Sequence, residues 1–331
     1  MLRDPTGRKK AVALLSIASN ATLVGLKIVV GLAVGSVAIL SEAIHSGLDL
    51  VAAIIAFVAV RESGKAPDRE HPFGHGKAEN ISGTIEALLI FAAAAWIIYE
   101  AVRRILRPEH LEMLGWGVGV MLVSTLVNIA VSRRLFRIAK ETESIALEAD
   151  AWHLRTDVWT SAGVMAGMGI LWIAEGNLPP ESQVHWIDPV AALVVAALIL
   201  RAAWELTVKS ARDLMDQGLP DDELAWLREL IGRHAPVVRG FHWLRTRRAG
   251  AIRFVEFHML VDGRMSVADS HRITDEITRD VRARFETANV LIHIEPCDNR
   301  CGPDCDRGCL LSGPDREAAF RKIHDREPAE G

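Results

Sequence analysis

Six long stretches almost free of charge follow one another between residues 11 and 207, and they constrain this chain more than any other feature. They run at about 11 to 33, 37 to 60, 81 to 106, 114 to 136, 145 to 174 and 184 to 207. A helix needs about 20 apolar residues to cross a hydrocarbon core roughly 30 Å thick, and each stretch suffices. Buried helices of a water-soluble protein average about 11 to 12 residues, so six such runs in succession point to a bilayer. The composition agrees once it is read by position. The chain has 331 residues and is 50% hydrophobic, but the text turns charged and mixed after Lys209. The expected organisation is a transmembrane domain over 1–210, a soluble domain over 211–296 and a tail over 297–331.

Lys and Arg in the connections set the expected orientation. Arg3, Arg8, Lys9 and Lys10 precede the first span. Arg61, Lys65, Arg69 and Lys77 follow the second, and Arg133, Arg134, Arg137 and Lys140 follow the fourth. Arg103, Arg104 and Arg107 run against the rule. Both termini are expected in the cytoplasm, with the first apolar segment retained as a span rather than removed as a signal peptide. A net charge of −4 gives no field for drawing in nucleic acid, and no basic run with interleaved aromatics suggests such a partner.

Beyond the last span, Pro220-Asp-Asp-Glu opens an expected helix over about 221 to 234. Two strands, about 238 to 247 and 251 to 262, flank Arg247-Arg-Ala-Gly. A helix over about 267 to 286 follows a capping-box pattern at Ser266 to Asp269, and a strand over about 289 to 295 ends the domain. In the second strand Val255, Phe257, Met259 and Val261 share one face, which places His258 on the other; His293 and Glu295 likewise share the outward face of the last strand. The order αββαβ predicts a small two-layer α+β domain.

Ionisable groups within a span are costly, about 2.5 to 3.5 kcal/mol each on insertion scales, and so mark function. Span 2 carries His45-Ser-Gly-Leu-Asp49 and span 5 carries His153-Leu-Arg-Thr-Asp157. In both, i, i+4 spacing stacks imidazole and carboxylate on one helical face. One span enters from outside and the other from inside, yet both pairs lie about 12 to 18 Å deep, so they can meet near the midplane. Two imidazoles and two carboxylates form a tetrahedral donor set suited to Zn²⁺. Glu42 shares the face of His45, either beside the site or as helix-end solvation. No partner for Arg155 is evident.

With these motifs in this order, the chain resembles the cation diffusion facilitator family, and most closely its bacterial zinc/proton antiporters. The loop Pro67-Asp-Arg-Glu-His-Pro-Phe-Gly-His-Gly-Lys-Ala-Glu79 adds to the likeness, which extends to about Pro296. The resemblance implies an α-helical membrane protein with six spans and a metallochaperone-like cytoplasmic domain. It also implies that His45, Asp49, His153 and Asp157 form the transport site, in a two-His, two-Asp version that the family associates with zinc over cadmium. A second metal site would use Asp68, His71 and His75, though a polar turn is the alternative. A binuclear site would use His242, His258, His271, His293 and Glu295. Some relatives have Asp where Glu295 stands. Similar proteins are homodimers, with a salt-bridge lock whose positions are Lys77 and Asp216 here.

The tail departs from the family pattern. Cys297, Cys301, Cys305 and Cys309 have metal-ligand spacing, while Gly302, Pro303 and Gly308 oppose a helical thiol stripe. Metal capture and a reduced flexible tail both fit.

The expected function is efflux of divalent cations, Zn²⁺ above all, from the cytoplasm of a bacterial inner-membrane protein, with protons as counter-ion and zinc as both cargo and regulatory ligand. Preference for Fe²⁺, Mn²⁺, Co²⁺ or Ni²⁺ is the nearest alternative, and a non-transporting metal sensor is one of another class. An enzyme is not expected: four protein ligands leave no open coordination position for an activated water.

Overall fold

The computed structural model describes residues 5–35, 37–106, 115–177, 187–297 and 307–317. The chain divides into two compact units, Met1–Leu214 and Met215–Gly331.

Among the described residues the first unit holds six helices: α1 (Pro5–Val34), α2 (Val37–Ser63), α3 (Lys77–Leu106), α4 (Gly115–Thr142), α5 (Ile145–Asn177) and α6 (Ile187–Leu214). Among the described residues, segments of α1, α2, α3, α4 and α6 are each long and apolar enough to cross a membrane. The 33 residues of α5 would span about 50 Å. Several helices outrun the apolar stretches read from the sequence: α1 begins at Pro5 instead of 11, α3 at Lys77 instead of 81, α4 ends at Thr142 instead of 136 and α6 at Leu214 instead of 207. Hydropathy marks only the hydrocarbon crossing. Arg, Lys, Glu and Ala are good helix formers and carry the same helices onward into water. Pro5 supplies a favourable first residue, and Gly35, at φ +68°, takes the left-handed conformation that ends α1 before α2.

At one end of the bundle the helices are tied by a buried carboxylate. Glu79, at the start of α3, accepts from Lys9 Nζ of α1 (2.9 Å), Ser63 Oγ of α2 (2.8 Å) and Ser144 Oγ at the α4–α5 turn (2.5 Å). Gly83, one turn further, allows the close approach of α3 to its neighbours, since a Cβ there would lie 2.7 Å from Ser210 Oγ of α6 and 2.8 Å from Ile145 Cγ2 of α5. The ends of α1, α2, α3, α5 and α6 are thus drawn together there.

The second unit comprises α7 (Asp221–Gly232), β1 (Gly240–Ala249), β2 (Ile252–Val261), α8 (Val267–Arg284) and β3 (Asn289–Pro296). The sheet order is β1-β2-β3, with β1 antiparallel and β3 parallel to β2. Leu227, Leu230 and Ile231 of α7 and Ile277 and Val281 of α8 bury Val255, Phe257, Met259 and Val261 of β2. This is the expected two-layer arrangement, and Ser266 Oγ caps α8 by accepting from Asp269 N at 3.0 Å. The hairpin differs from expectation. Its connection is Gly250-Ala251 instead of Arg247 to Gly250, because Gly250, at φ +59°, is the residue that can turn a two-residue loop while Arg247, Arg248 and Ala249 stay paired.

Buried Arg253 of β2 and half-buried Glu223 in the first turn of α7 form a two-pronged ion pair, at 2.8 and 2.7 Å.

The tail adds one short piece to this sheet. Phe241 N donates to Gly308 O (3.0 Å), Leu310 N donates to Arg239 O (2.9 Å), Cys309 bridges Gly240, and Leu310 packs on the core. Glycine is required at the contact: a Cβ on Gly308 would stand 1.7 Å from Phe241 O. Gly308→Ala is therefore expected to free the tail, which hydrogen exchange would register as lost protection at the Phe241 and Leu310 amides; unchanged protection would contradict the docking.

Candidate metal centres

Within the bundle, α2 and α5 bring the two His-Asp pairs together. His45, Asp49 and Asp157 each place one ligand atom so that all lie within 4.8 Å of one another. His153 joins them through its Nε2, 3.1 Å from Asp49 Oδ1. Tetrahedral zinc with bonds of about 2.0 to 2.1 Å sets its ligand atoms about 3.4 Å apart, so these side chains would have to draw inward to form a coordination shell. His153 Nδ1 and Asp157 Oδ2 are buried with no hydrogen-bond partner. The i, i+4 spacing and matched depth that predicted this meeting were therefore sufficient signals. Glu42 has a different role from either one considered: it accepts from Lys27 Nζ at 3.0 Å, and the same ammonium donates to Ser46 Oγ at 2.6 Å. Arg155 finds its neighbour in Phe136, with the guanidinium carbon 5.6 Å from the ring centroid.

Between α2 and α3 the loop gathers Asp68, His71 and His75. Asp68 lies 3.5 Å from His71 Nδ1 and 3.3 Å from His75 Nε2, and the two rings are 4.4 Å apart. The turn itself sets this geometry, because Asp68 Oδ1 accepts the backbone N–H groups of Glu70 (3.0 Å) and His71 (2.7 Å). The N–H of His71, more than any other group, holds the Asp68 carboxyl below its ordinary pKa. That keeps it ionised and able to accept a cation.

In the soluble unit the sheet register makes one row of three imidazoles: His242 pairs with His258, which pairs with His293. A bulge between His242 and Arg245, with Trp243 at φ +53°, resets β1 after His242. Glu295, two residues beyond His293 on the same face, contacts all three: 3.1 Å to His242 Nε2, 2.8 Å to His258 Nδ1 and 3.6 Å to His293 Nε2. His242, His258 and Glu295 meet the distance requirement for a shared ion. The longer arm of Glu, compared with Asp, reaches the row without difficulty. His271 behaves differently. It is largely exposed at the start of α8 and lies 3.6 Å from Asp275, away from the row.

The remaining sequence candidates are separate from these groups. Lys77 Nζ donates to Leu214 O at 3.4 Å, and Asp216 lies 3.3 Å from Arg247. Cys297 N donates to Val261 O, continuing β3, whereas Cys309 lies against the opposite edge at Gly240. Three inter-strand spacings, about 14 Å, separate those backbones, so Cys297 and Cys309 cannot share one ion while the tail is docked. Cys301 and Cys305 lie outside the described residues.

Lys27, Glu86 and Asp150 are buried charged residues inside the spans that the motif reading passed over. Lys27 interrupts the first apolar run, and Asp150 stands three residues before His153 on the same face; both could have been flagged by the cost of intramembrane charge alone.

The chain has similar proteins of known family. A model of the cation efflux transmembrane domain matches residues 13–215, and one of the cation efflux protein cytoplasmic domain matches residues 219–297. An uncharacterized transporter of Synechocystis is 36% identical over 287 residues, covering 87% of this chain and 90% of that protein. The cation-efflux pump FieF of Shewanella oneidensis is 32% identical over 281 residues, covering 85% and 92%. The metal-bound C-terminal domain of the CzcD transporter from Thermotoga maritima is 33% identical over 24% of this chain and 94% of that domain, with a TM-score of 0.22. Six helices with a polar centre, followed by a small α/β unit, are the two matched domains in sequence: the chain belongs to the cation diffusion facilitator family of membrane-embedded cation efflux transporters.

Proposed function

We propose that this chain exports Zn²⁺ from the bacterial cytoplasm across the inner membrane by alternating access, driven by inward proton flow, with both termini cytoplasmic. The convergence of His45, Asp49, His153 and Asp157 carries this reading. Two imidazole nitrogens and two carboxylate oxygens as donors favour zinc over the oxygen-preferring Mn²⁺ and Mg²⁺. Metal requires neutral imidazoles and ionised carboxylates, so protons and zinc compete for the same lone pairs. A site opening to the proton-rich side releases metal, and one opening to the proton-poor side reloads, with His45 and His153 as the exchanging groups.

The row His242, His258 and His293 with Glu295 would hold regulatory zinc, its imidazoles and carboxylate forming a suitable donor set. Zinc there would tighten a homodimer and bias the transport domain, with Lys77 and Asp216 as its lock. His271 would need to leave Asp275 to contribute. The Asp68, His71 and His75 loop would take a further ion. Thiolate capture by Cys297, Cys301, Cys305 and Cys309 together would require the tail to leave β1.

Purified protein in liposomes tests the transport reading. Zinc flux should follow an imposed pH gradient and collapse to the passive leak when a protonophore removes it. Flux indifferent to the gradient would leave a uniporter, and no zinc flux with robust Mn²⁺ or Fe²⁺ flux would shift the cargo.

A further inference from the structure

Lys27 is a charged side chain within a span that the transport chemistry leaves unused. It lies about 27 Å along α1 from Lys9 by helical rise, toward the turn into α2 and away from Glu79. The residue is 3% exposed, and its ammonium donates to Glu42 Oε1 at 3.0 Å and to Ser46 Oγ at 2.6 Å. These two acceptors belong to the stripe of α2 that carries the metal site. Glu42, Ser46 and Asp49 follow one another at i, i+4 and i+7, which places them on one helical face. His45 adjoins Ser46 in sequence, and Asp49 is only about 4.5 Å of rise beyond it. The ammonium therefore grips α2 immediately beside the quartet, on the side away from Glu79.

Stability alone does not account for this pair. A buried ion pair adds little over apolar side chains of the same volume, and an ammonium is costly to place inside a span. Its effects fall on the metal site instead. The positive charge offsets part of the negative potential that Asp49 and Asp157 present to an incoming cation. The hydrogen bond also engages Glu42, whose side chain is 41% exposed and shares the face of His45, so that its carboxylate serves α1 and not the ion. Both effects loosen the hold on a bound metal, and a transport site has to let its ion go.

We propose that Lys27 is a positioning residue for transport: by engaging Glu42 and setting a fixed positive charge beside Ser46, one helical turn from Asp49, it weakens zinc binding enough for the ion to leave. The proposal deepens the transport reading and rests on it for the direction of traffic. Its effect on zinc affinity is independent of that reading.

The test compares Lys27→Met, Glu42→Gln and the double variant in the full-length protein, by zinc flux in liposomes and by calorimetric zinc binding. The candidate sites of the soluble unit are common to all variants, so differences between them belong to the bundle. Lys27→Met removes the charge and releases Glu42, so KM and Kd for zinc should fall about tenfold and kcat should fall with them as release slows. Glu42→Gln keeps the ammonium and an acceptor for it but removes a nearby negative charge. KM should then rise about tenfold while kcat stays within about twofold. The double variant should return KM close to the native value. A simple tie between α1 and α2 would instead lower the unfolding midpoint in both single variants without opposite shifts in KM. Shifts of the same sign, or none, overturn the proposal. If Lys27→Met fails to fold, Glu42→Gln decides, and a KM unchanged or lowered there is the overturning result. Opposite shifts in zinc affinity in a protein that proves not to move zinc would uphold the role of Lys27 at the site and sink the transport reading instead.

Discussion

Asp157→Ala is expected to reduce zinc flux by at least ~100-fold, judged against the 10- to 100-fold losses that follow removal of groups merely supporting metal ligands. The substitution is informative because Asp157 does little else. Its Oδ2 is buried without a hydrogen bond, so the fold does not depend on that oxygen, and thermal stability should be unchanged or slightly higher. Asp49→Ala should match it in flux but differ in stability, because Asp49 also meets His153 Nε2 at 3.1 Å. Liposome flux with a parallel unfolding measurement separates the two. Zinc transport at native rates in both variants would remove the quartet from the mechanism.

The second large effect is on stability. Glu79→Ala would strand the Lys9 ammonium, which is only 8% exposed, and remove the acceptor of Ser63 Oγ and Ser144 Oγ as well. Breaking one member of a buried pair costs about 3 to 5 kcal/mol, most of it from the charge left behind. A clear drop in the unfolding midpoint in detergent is expected. The combination Lys9→Met with Glu79→Gln removes both charges at similar volume and should recover most of that loss. If the double variant is as unstable as Glu79→Ala alone, the carboxylate matters for reasons other than Lys9.

Glu79 also shows how far the sequence could be read. It closed the loop motif on which the family resemblance rested, yet nothing in that motif signals a partner 70 residues earlier in α1. The quartet was legible because periodicity within two helices and their opposite directions through a bilayer determine it. The histidine row was half legible: alternation placed His258, His293 and Glu295 on the outward face, but aligning His242 with them depends on a strand register and a bulge that arise only on pairing. His271 was placed with the site through resemblance, while its exposed position on α8 follows from packing Ile277 and Val281 inward. The tail was the least legible. A strand of one bridge has no alternation to detect, and Gly308 reads as a helix breaker until Phe241 is seen opposite it.

That docked tail bears on how copies of this protein behave toward one another. β1 is an edge of a three-stranded sheet, and bare strand edges recruit further strands from neighbouring molecules. By taking the Phe241 amide and the Arg239 carbonyl for itself, the segment at Gly308 to Leu310 covers the start of that edge and withholds those two groups from a stranger. In a crowded membrane, where soluble domains face one another at high local concentration, this short piece of the tail would act as a safeguard against polymerisation.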